Sequence, residues 1–161
     1  MNEMSMEALR FIFSHYYGIK TMPTESDHEA AMKAVMICAK GDGTLSDEEK
    51  AWISGMSAMV GNPFYTLAHT YAADEPIEDI VAASPWLSQF GGRMIVFEAI
   101  RASAADGELH AEEIAVITRL ARAIGVDESV VSTLVQQHQD EVALMQRRIQ
   151  TLWPEASPLH E

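Results

Sequence analysis

Two short acidic segments carry the residue types that could bind a cation. The first is AKGDGTLSDEE, residues 39–49, and the second is SAADGELHAEE, residues 103–113. Each segment places an aspartate directly before a glycine and ends on a pair of glutamates. Carboxylate oxygens are the ligands that hard divalent cations prefer. The segments therefore predict either a cation site or a turn that the fold uses twice.

The two segments belong to a longer internal repeat with an offset of 64 residues. The register holds without a gap over twenty positions, and the identical pairs are Asp42/Asp106, Gly43/Gly107, Leu45/Leu109, Glu48/Glu112, Glu49/Glu113, Ala51/Ala115, Ile53/Ile117 and Gly61/Gly125. Each unit reads as helix, Asp-Gly turn, helix and glycine stop, over about residues 28–62 and 92–126. Two copies of such a unit predict a pseudo-symmetric pair of helical hairpins.

The repeated residues also have a purely architectural interpretation. Gly43 and Gly107 suit the left-handed backbone that ends a helix. Glu49 stands three residues after Ser46, which is the spacing of a capping box, and acidic residues stabilise a helix N-terminus. A turn built in this way needs no bound ion.

The cation hypothesis takes the form of a shared site rather than an EF-hand. The glycine and the final glutamate match the second half of an EF-hand loop, but the first half needs further carboxylates. The positions that should carry them hold Cys38, Lys40, Ala102 and Ala104. A site in which the two acidic turns face each other avoids this objection. His110, three residues before Glu113, would add a nitrogen ligand that suits Zn²⁺.

The elements that must position these residues are all helical. Apolar residues recur at intervals of three and four almost throughout, and no run alternates as a strand does. We expect an all-α fold in one domain, residues 1–161, a compact bundle of about seven helices. The predicted segments are 5–19, 25–40, 46–60, 93–105, 111–124 and 128–153, with short pieces at 64–71 and 77–83.

Composition restricts the partners. The chain has 24 acidic and 11 basic residues, a net charge of −13. Such a surface repels phosphate groups, so we expect no nucleic acid and no membrane surface as partners, whereas cations and basic proteins are suitable. The single cysteine, Cys38, has no intrachain partner, which favours the reducing cytoplasm. No apolar run approaches the length of a membrane span, so direct membrane insertion is not expected.

Motifs for catalysis are missing from the sequence. It contains no Gly-rich phosphate loop, nucleophile elbow or Cys-His pair, so we predict no organic cofactor, no catalytic residue and no enzymatic activity. The Glu-x-x-His spacing of di-iron sites occurs once, at Glu25 and His28. We interpret it as an acidic helix start followed by a surface histidine. His138 falls on the apolar face of the last helix and is interpreted as a core histidine.

The doubled D-G-x-L-x-x-E-E motif, in a small acidic helical chain, resembles the TerB-like family associated with tellurite resistance. The resemblance covers most of residues 30–126. It implies a helical bundle, a role in a multi-protein stress-response system with calcium-binding and membrane-associated partners, and no established catalytic activity. It also implies binding of a divalent cation, of unspecified identity, through Asp42, Glu48, Glu49, Asp106, Glu112 and Glu113.

Both ends of the chain depart from a bare family domain. The first helix is rich in aromatic residues, and the tail ASPLHE, residues 156–161, is of the kind that could serve local partners. Three functional hypotheses follow, in this order: a metal-responsive protein-interaction module, a metal-independent structural interaction domain, and a metal-dependent enzyme. The sequence makes no prediction of the oligomeric state.

Overall fold

A computed structural model describes residues 3–155, and in that span the chain forms eight α-helices and no strand. The tail ASPLHE lies outside the described residues. The helices are α1 (Glu3–Tyr17), α2 (Glu25–Ala39), α3 (Asp47–Val60), α4 (Asn62–Thr70), α5 (Ile77–Ala83), α6 (Gly92–Ser103), α7 (Ala111–Ala123) and α8 (Glu128–Leu152). None of these helices is long and apolar enough to cross a membrane.

The prediction of an all-α bundle is confirmed. The helices number eight in the described span rather than about seven, because both of the short pieces predicted in the middle of the chain form helices of their own, α4 and α5. The segment around Trp86 is helical and continues through a π-helical stretch, Leu87–Gly91, directly into α6. A β-carbon at Gly91 would lie 2.0 Å from the Trp86 ring, so glycine is required for this packing.

The two helical hairpins predicted from the repeat lie at the centre. The first consists of α2, a turn and α3, and the second of α6, a turn and α7. The largest interface joins the two inner helices, α2 and α6, and α8 packs across α6 and α7. Small buried residues such as Ala34, Ala99 and Ala102 let the inner helices approach closely.

His28 is buried, so its interpretation as a surface histidine is wrong. Only 9% of the residue is exposed. The ring of Phe13 from α1 meets the imidazole edge-on at 5.7 Å between centroids, and Phe64 from α4 lies at the same distance. Two aromatic side chains from other helices therefore cover a helix start that would otherwise face water. His138 is half-buried in α8, with its ring edge-on to Phe97.

Candidate functional site

The two Asp-Gly turns adopt the same local geometry. The Asp42 Oδ1 atom accepts a hydrogen bond from the Thr44 backbone N–H at 2.9 Å, and Asp106 Oδ1 accepts one from the Glu108 N–H at 2.9 Å. Gly43 and Gly107 have φ angles of 103° and 97°, in the region that favours glycine. Each aspartate is therefore occupied in stabilising its own turn.

The last glutamate of each motif folds back over the helix start. Glu49 Oε2 accepts from the Ser46 backbone N–H at 2.6 Å, and Glu113 Oε2 accepts from the His110 N–H at 2.8 Å. Ser46 Oγ in turn accepts from the Glu49 N–H at 3.1 Å, which completes a capping box. Both glutamates are turned inward, with 4% and 0% of the residue exposed.

These two carboxyl groups, one from each hairpin, come together in the protein interior. The first turn lies against the start of α7, because a β-carbon at Gly41 would stand 2.8 Å from Glu113 Cα. Burial, which is the largest cause, together with the neighbouring Glu49 carboxyl group and the charge of Asp42, raises the pKa of Glu113 to about 8. Glu113 therefore holds a proton at neutral pH.

The other predicted ligands lie apart from this pair. Glu48, Glu112 and Asp106 are exposed. His110 is half-exposed, and its Nε2 atom lies 3.9 Å from Glu108 Oε2. The structure therefore brings together Glu49 and Glu113, with Asp42 near enough for its charge to act on Glu113. Within residues 3–155, no group of three or more His, Cys, Asp or Glu side chains is arranged to hold a metal ion.

The donor set of the pair suits a hard cation better than zinc. Glu113 Oε1 is buried, and no donor among residues 3–155 reaches it, which leaves one carboxylate oxygen available. Mg²⁺ takes one or two carboxylates and keeps several waters, so it does not require a complete protein cage. Zn²⁺ prefers sulfur and nitrogen ligands. The nearby Cys38 is a poor candidate, because burial and the charge of Glu113 raise the pKa of its thiol.

Comparison with known proteins shows the family. The chain is similar to a tellurite resistance protein from Nostoc punctiforme, whose crystal structure matches it with a TM-score of 0.85 and 39% sequence identity over 98% of this chain and 99% of that one. The chain belongs to the TerB-like family of tellurite resistance proteins. The resemblance inferred from the doubled motif is thus confirmed. No protein-family model matches the chain, and no curated protein matches it either.

Two features of this TerB-like protein were not predicted from the sequence. One is Gly41, which has no side chain and so lets the backbone of Glu113 approach closely. Its counterpart in the second copy is Ala105, and this difference within the repeat was the sequence feature that could have indicated the contact. The other is a separate polar cluster, in which Tyr17 Oη donates to Glu98 Oε1 at 2.6 Å and Arg101 Nη1 donates to the same oxygen at 3.1 Å. Glu98 is an isolated acidic residue on an otherwise apolar helix face, and that isolation was its signal.

Proposed function

We propose that this protein acts in tellurite resistance as a non-enzymatic binding module in the cytoplasm. The Nostoc punctiforme protein, described as a tellurite resistance protein, supports this role because it matches almost the whole chain. The module binds a divalent cation at the Glu49–Glu113 pair and acts through protein partners. The net charge of −13 favours partners with a basic contact surface and disfavours direct binding of the tellurite oxyanion.

The buried carboxyl pair carries the cation proposal. At neutral pH the proton held by Glu113 compensates the close approach of Glu49 and Glu113. A divalent cation would replace that proton and keep both groups ionised, with water completing its coordination. Binding should therefore release about one proton below pH 8, and affinity should rise as the pH approaches 8, since ligands must be deprotonated to bind.

Isothermal titration of the metal-stripped protein with Mg²⁺, Mn²⁺, Ca²⁺ and Zn²⁺ tests this proposal. The double variant Glu49→Gln/Glu113→Gln should lose saturable binding. The matched control is Glu48→Gln/Glu112→Gln, which makes the same two substitutions at the exposed neighbouring positions and should bind like the wild type. Repeating the titration in two buffers of different ionisation enthalpy measures the released proton. Equal binding by the two double variants would place the cation outside the pair.

A metal-independent interaction domain is the second candidate. It is favoured by the capping hydrogen bonds, since Glu49 and Glu113 already serve the helix starts of α3 and α7. In this case the wild type would show no saturable binding, and the pair would hold a proton only.

Survival in tellurite tests the cellular role separately from the cation. A strain that lacks the gene is complemented with the wild type, the Glu49→Gln/Glu113→Gln variant or the Glu48→Gln/Glu112→Gln variant, with protein levels compared. We expect the wild type and the exposed control to restore survival and the buried variant to fail. Failure of the wild type would contradict a role in tellurite resistance. Rescue by all three would show that the resistance role does not need the pair.

A further inference from the structure

A cavity lies between α1, α2, α3 and α6, and the cation proposal does not use it. Its volume is about 90 Å³. The wall is almost entirely apolar and includes methionine side chains and two indole rings, contributed by Met32, Met56, Met94, Trp52 and Trp86. Two buried titratable residues, His28 and Glu98, also line it. Buried polar groups in such a wall need hydrogen-bond partners, so their atoms indicate what the cavity can accept.

His28 presents a hydrogen-bond acceptor. Its Nδ1 atom lies 3.1 Å from the Thr24 carbonyl oxygen. Because a carbonyl oxygen only accepts, Nδ1 carries the proton. Burial lowers the pKa of His28, which keeps the imidazole neutral, so Nε2 has a lone pair and no proton. Nε2 is buried, and no donor in the described part of the chain reaches it.

Glu98 presents a second acceptor. Its Oε1 atom accepts hydrogen bonds from the Tyr17 hydroxyl and from the Arg101 guanidinium. Its Oε2 atom is buried and accepts no hydrogen bond from the residues that the structure describes. The Arg101 charge already compensates the Glu98 carboxylate, so a ligand at this carboxylate does not need a positive charge.

We propose that this cavity binds a small neutral molecule with an apolar body and a hydroxyl donor, which bonds to Glu98 Oε2 or His28 Nε2. The apolar body contacts the methionines and indoles. At roughly 10–15 Å³ for each water-sized group, a volume of about 90 Å³ admits a ligand of about six to nine non-hydrogen atoms. Methionine side chains adapt readily to the outline of such a guest. Water alone is a poorer occupant, because a buried water needs two to four polar partners and this wall offers few.

Phenol and fluorobenzene are suitable probes because they have nearly the same shape and only phenol has a donor. Each is titrated into protein labelled with ¹³C at the methionine methyl groups. We expect saturable chemical-shift changes at the methyl groups that line the cavity, and no change at Met145, which is exposed on α8. Phenol should bind about tenfold more tightly than fluorobenzene, which is the gain that one hydrogen bond to a charged acceptor provides. Equal affinity for the two probes, or no phenol-dependent shift of the lining methyls up to its solubility limit, would overturn the proposal.

Two leucine variants locate the bound probe. Ala31→Leu, which fills the cavity from α2, should abolish phenol binding. Ala58→Leu, at an exposed position of α3, is the matched control and should bind phenol as the wild type does. Binding that survives Ala31→Leu unchanged would place the probe elsewhere and reject this cavity. The comparison of phenol with fluorobenzene is made on the wild-type protein, so it stands even where Ala31→Leu fails to fold.

Discussion

The two copies of the Asp-Gly motif share their turn geometry but differ in what surrounds their final glutamates. Both carboxylates accept a backbone N–H three residues earlier. Glu113 is the more deeply buried, and the Asp42 charge from the other copy acts on it. The repeat therefore supplies two equivalent positions, and the packing between the copies makes them unequal. The unequal environment makes Glu113 the carboxyl group that holds a proton at neutral pH.

One glycine underlies much of this inequality. Gly41 lets the first turn approach the backbone of Glu113, whereas the second copy has Ala105 at the corresponding position. The approach brings Asp42 and Glu49 of the first copy towards the start of α7. A duplicated motif can thus acquire an asymmetric site through a single small residue that differs between the two copies.

The largest expected effect is a pH dependence of stability that belongs to Glu113. Its pKa is about 8 in the folded protein against an ordinary 4.5. Between these values the folded state holds the proton more tightly, so the free energy of unfolding falls as the pH rises from about 4.5 to about 8. At about 1.4 kcal/mol for each pKa unit, the loss is at most about 5 kcal/mol. Urea unfolding at a series of pH values measures it.

The matched variants for this measurement are Glu113→Gln and Glu112→Gln. Glutamine at position 113 cannot ionise, so the decline between pH 5 and pH 8 should become shallower. The Glu112→Gln variant removes a charge from an exposed neighbour and should retain the wild-type slope. The same slope in all three proteins would mean that the pKa of Glu113 is not raised in the folded protein.

The next effect in size is steric and involves Gly41. A β-carbon there would lie 2.8 Å from Glu113 Cα and 3.1 Å from Glu113 N, so Gly41→Ala must push the two hairpins apart. Overpacking of this kind costs roughly 1–3 kcal/mol. Thermal unfolding should show a Tm lower by about 2–12 °C, since about 2–4 °C corresponds to each kcal/mol for a chain of this size.

The control for Gly41→Ala is Gly55→Ala. A β-carbon at Gly55, within α3, meets no atom, and alanine is the better helix former. This variant should be at least as stable as the wild type. A Gly41→Ala protein that melts with the wild type would show that the two hairpins are not in close contact through this residue.

A third change removes the partner of Glu113. In Glu49→Gln the negative charge is lost while Glu113 stays buried, so we expect the pKa of Glu113 to fall from about 8 by roughly one unit or more, yet remain above 4.5. Carboxyl ¹³C NMR across a pH titration reports this value directly. Asp42→Asn should produce a smaller decrease, because Asp42 contributes less. An unchanged pKa in Glu49→Gln would assign the whole shift to burial.

Local patterns made the helices and the repeat predictable, because both depend on residues close in the chain. The bounds of α5, residues 77–83, follow from Pro76 and a short apolar run. The inward direction of Glu49 and Glu113 could not be predicted, because it depends on how the first turn packs on α7. His28 was assigned to the surface for the same reason, since Phe13 and Phe64, which cover it, come from distant parts of the chain.

The smallest expected effect concerns the residue before each helix. Ser46 Oγ caps α3 by accepting from the Glu49 N–H, whereas the second copy has His110 in this place. Serine is a strongly preferred N-cap, so His110→Ser should stabilise the protein by about 0.5–1 kcal/mol, and Ser46→His should destabilise it by a similar amount. Thermal melts of both variants measure the pair of effects.

Equal and opposite changes would show that capping is a local property of each copy, independent of the Glu49–Glu113 pair. If Ser46→His is costly while His110→Ser has no effect, the start of α7 does not need a serine cap, and packing against the first turn is what holds it in place.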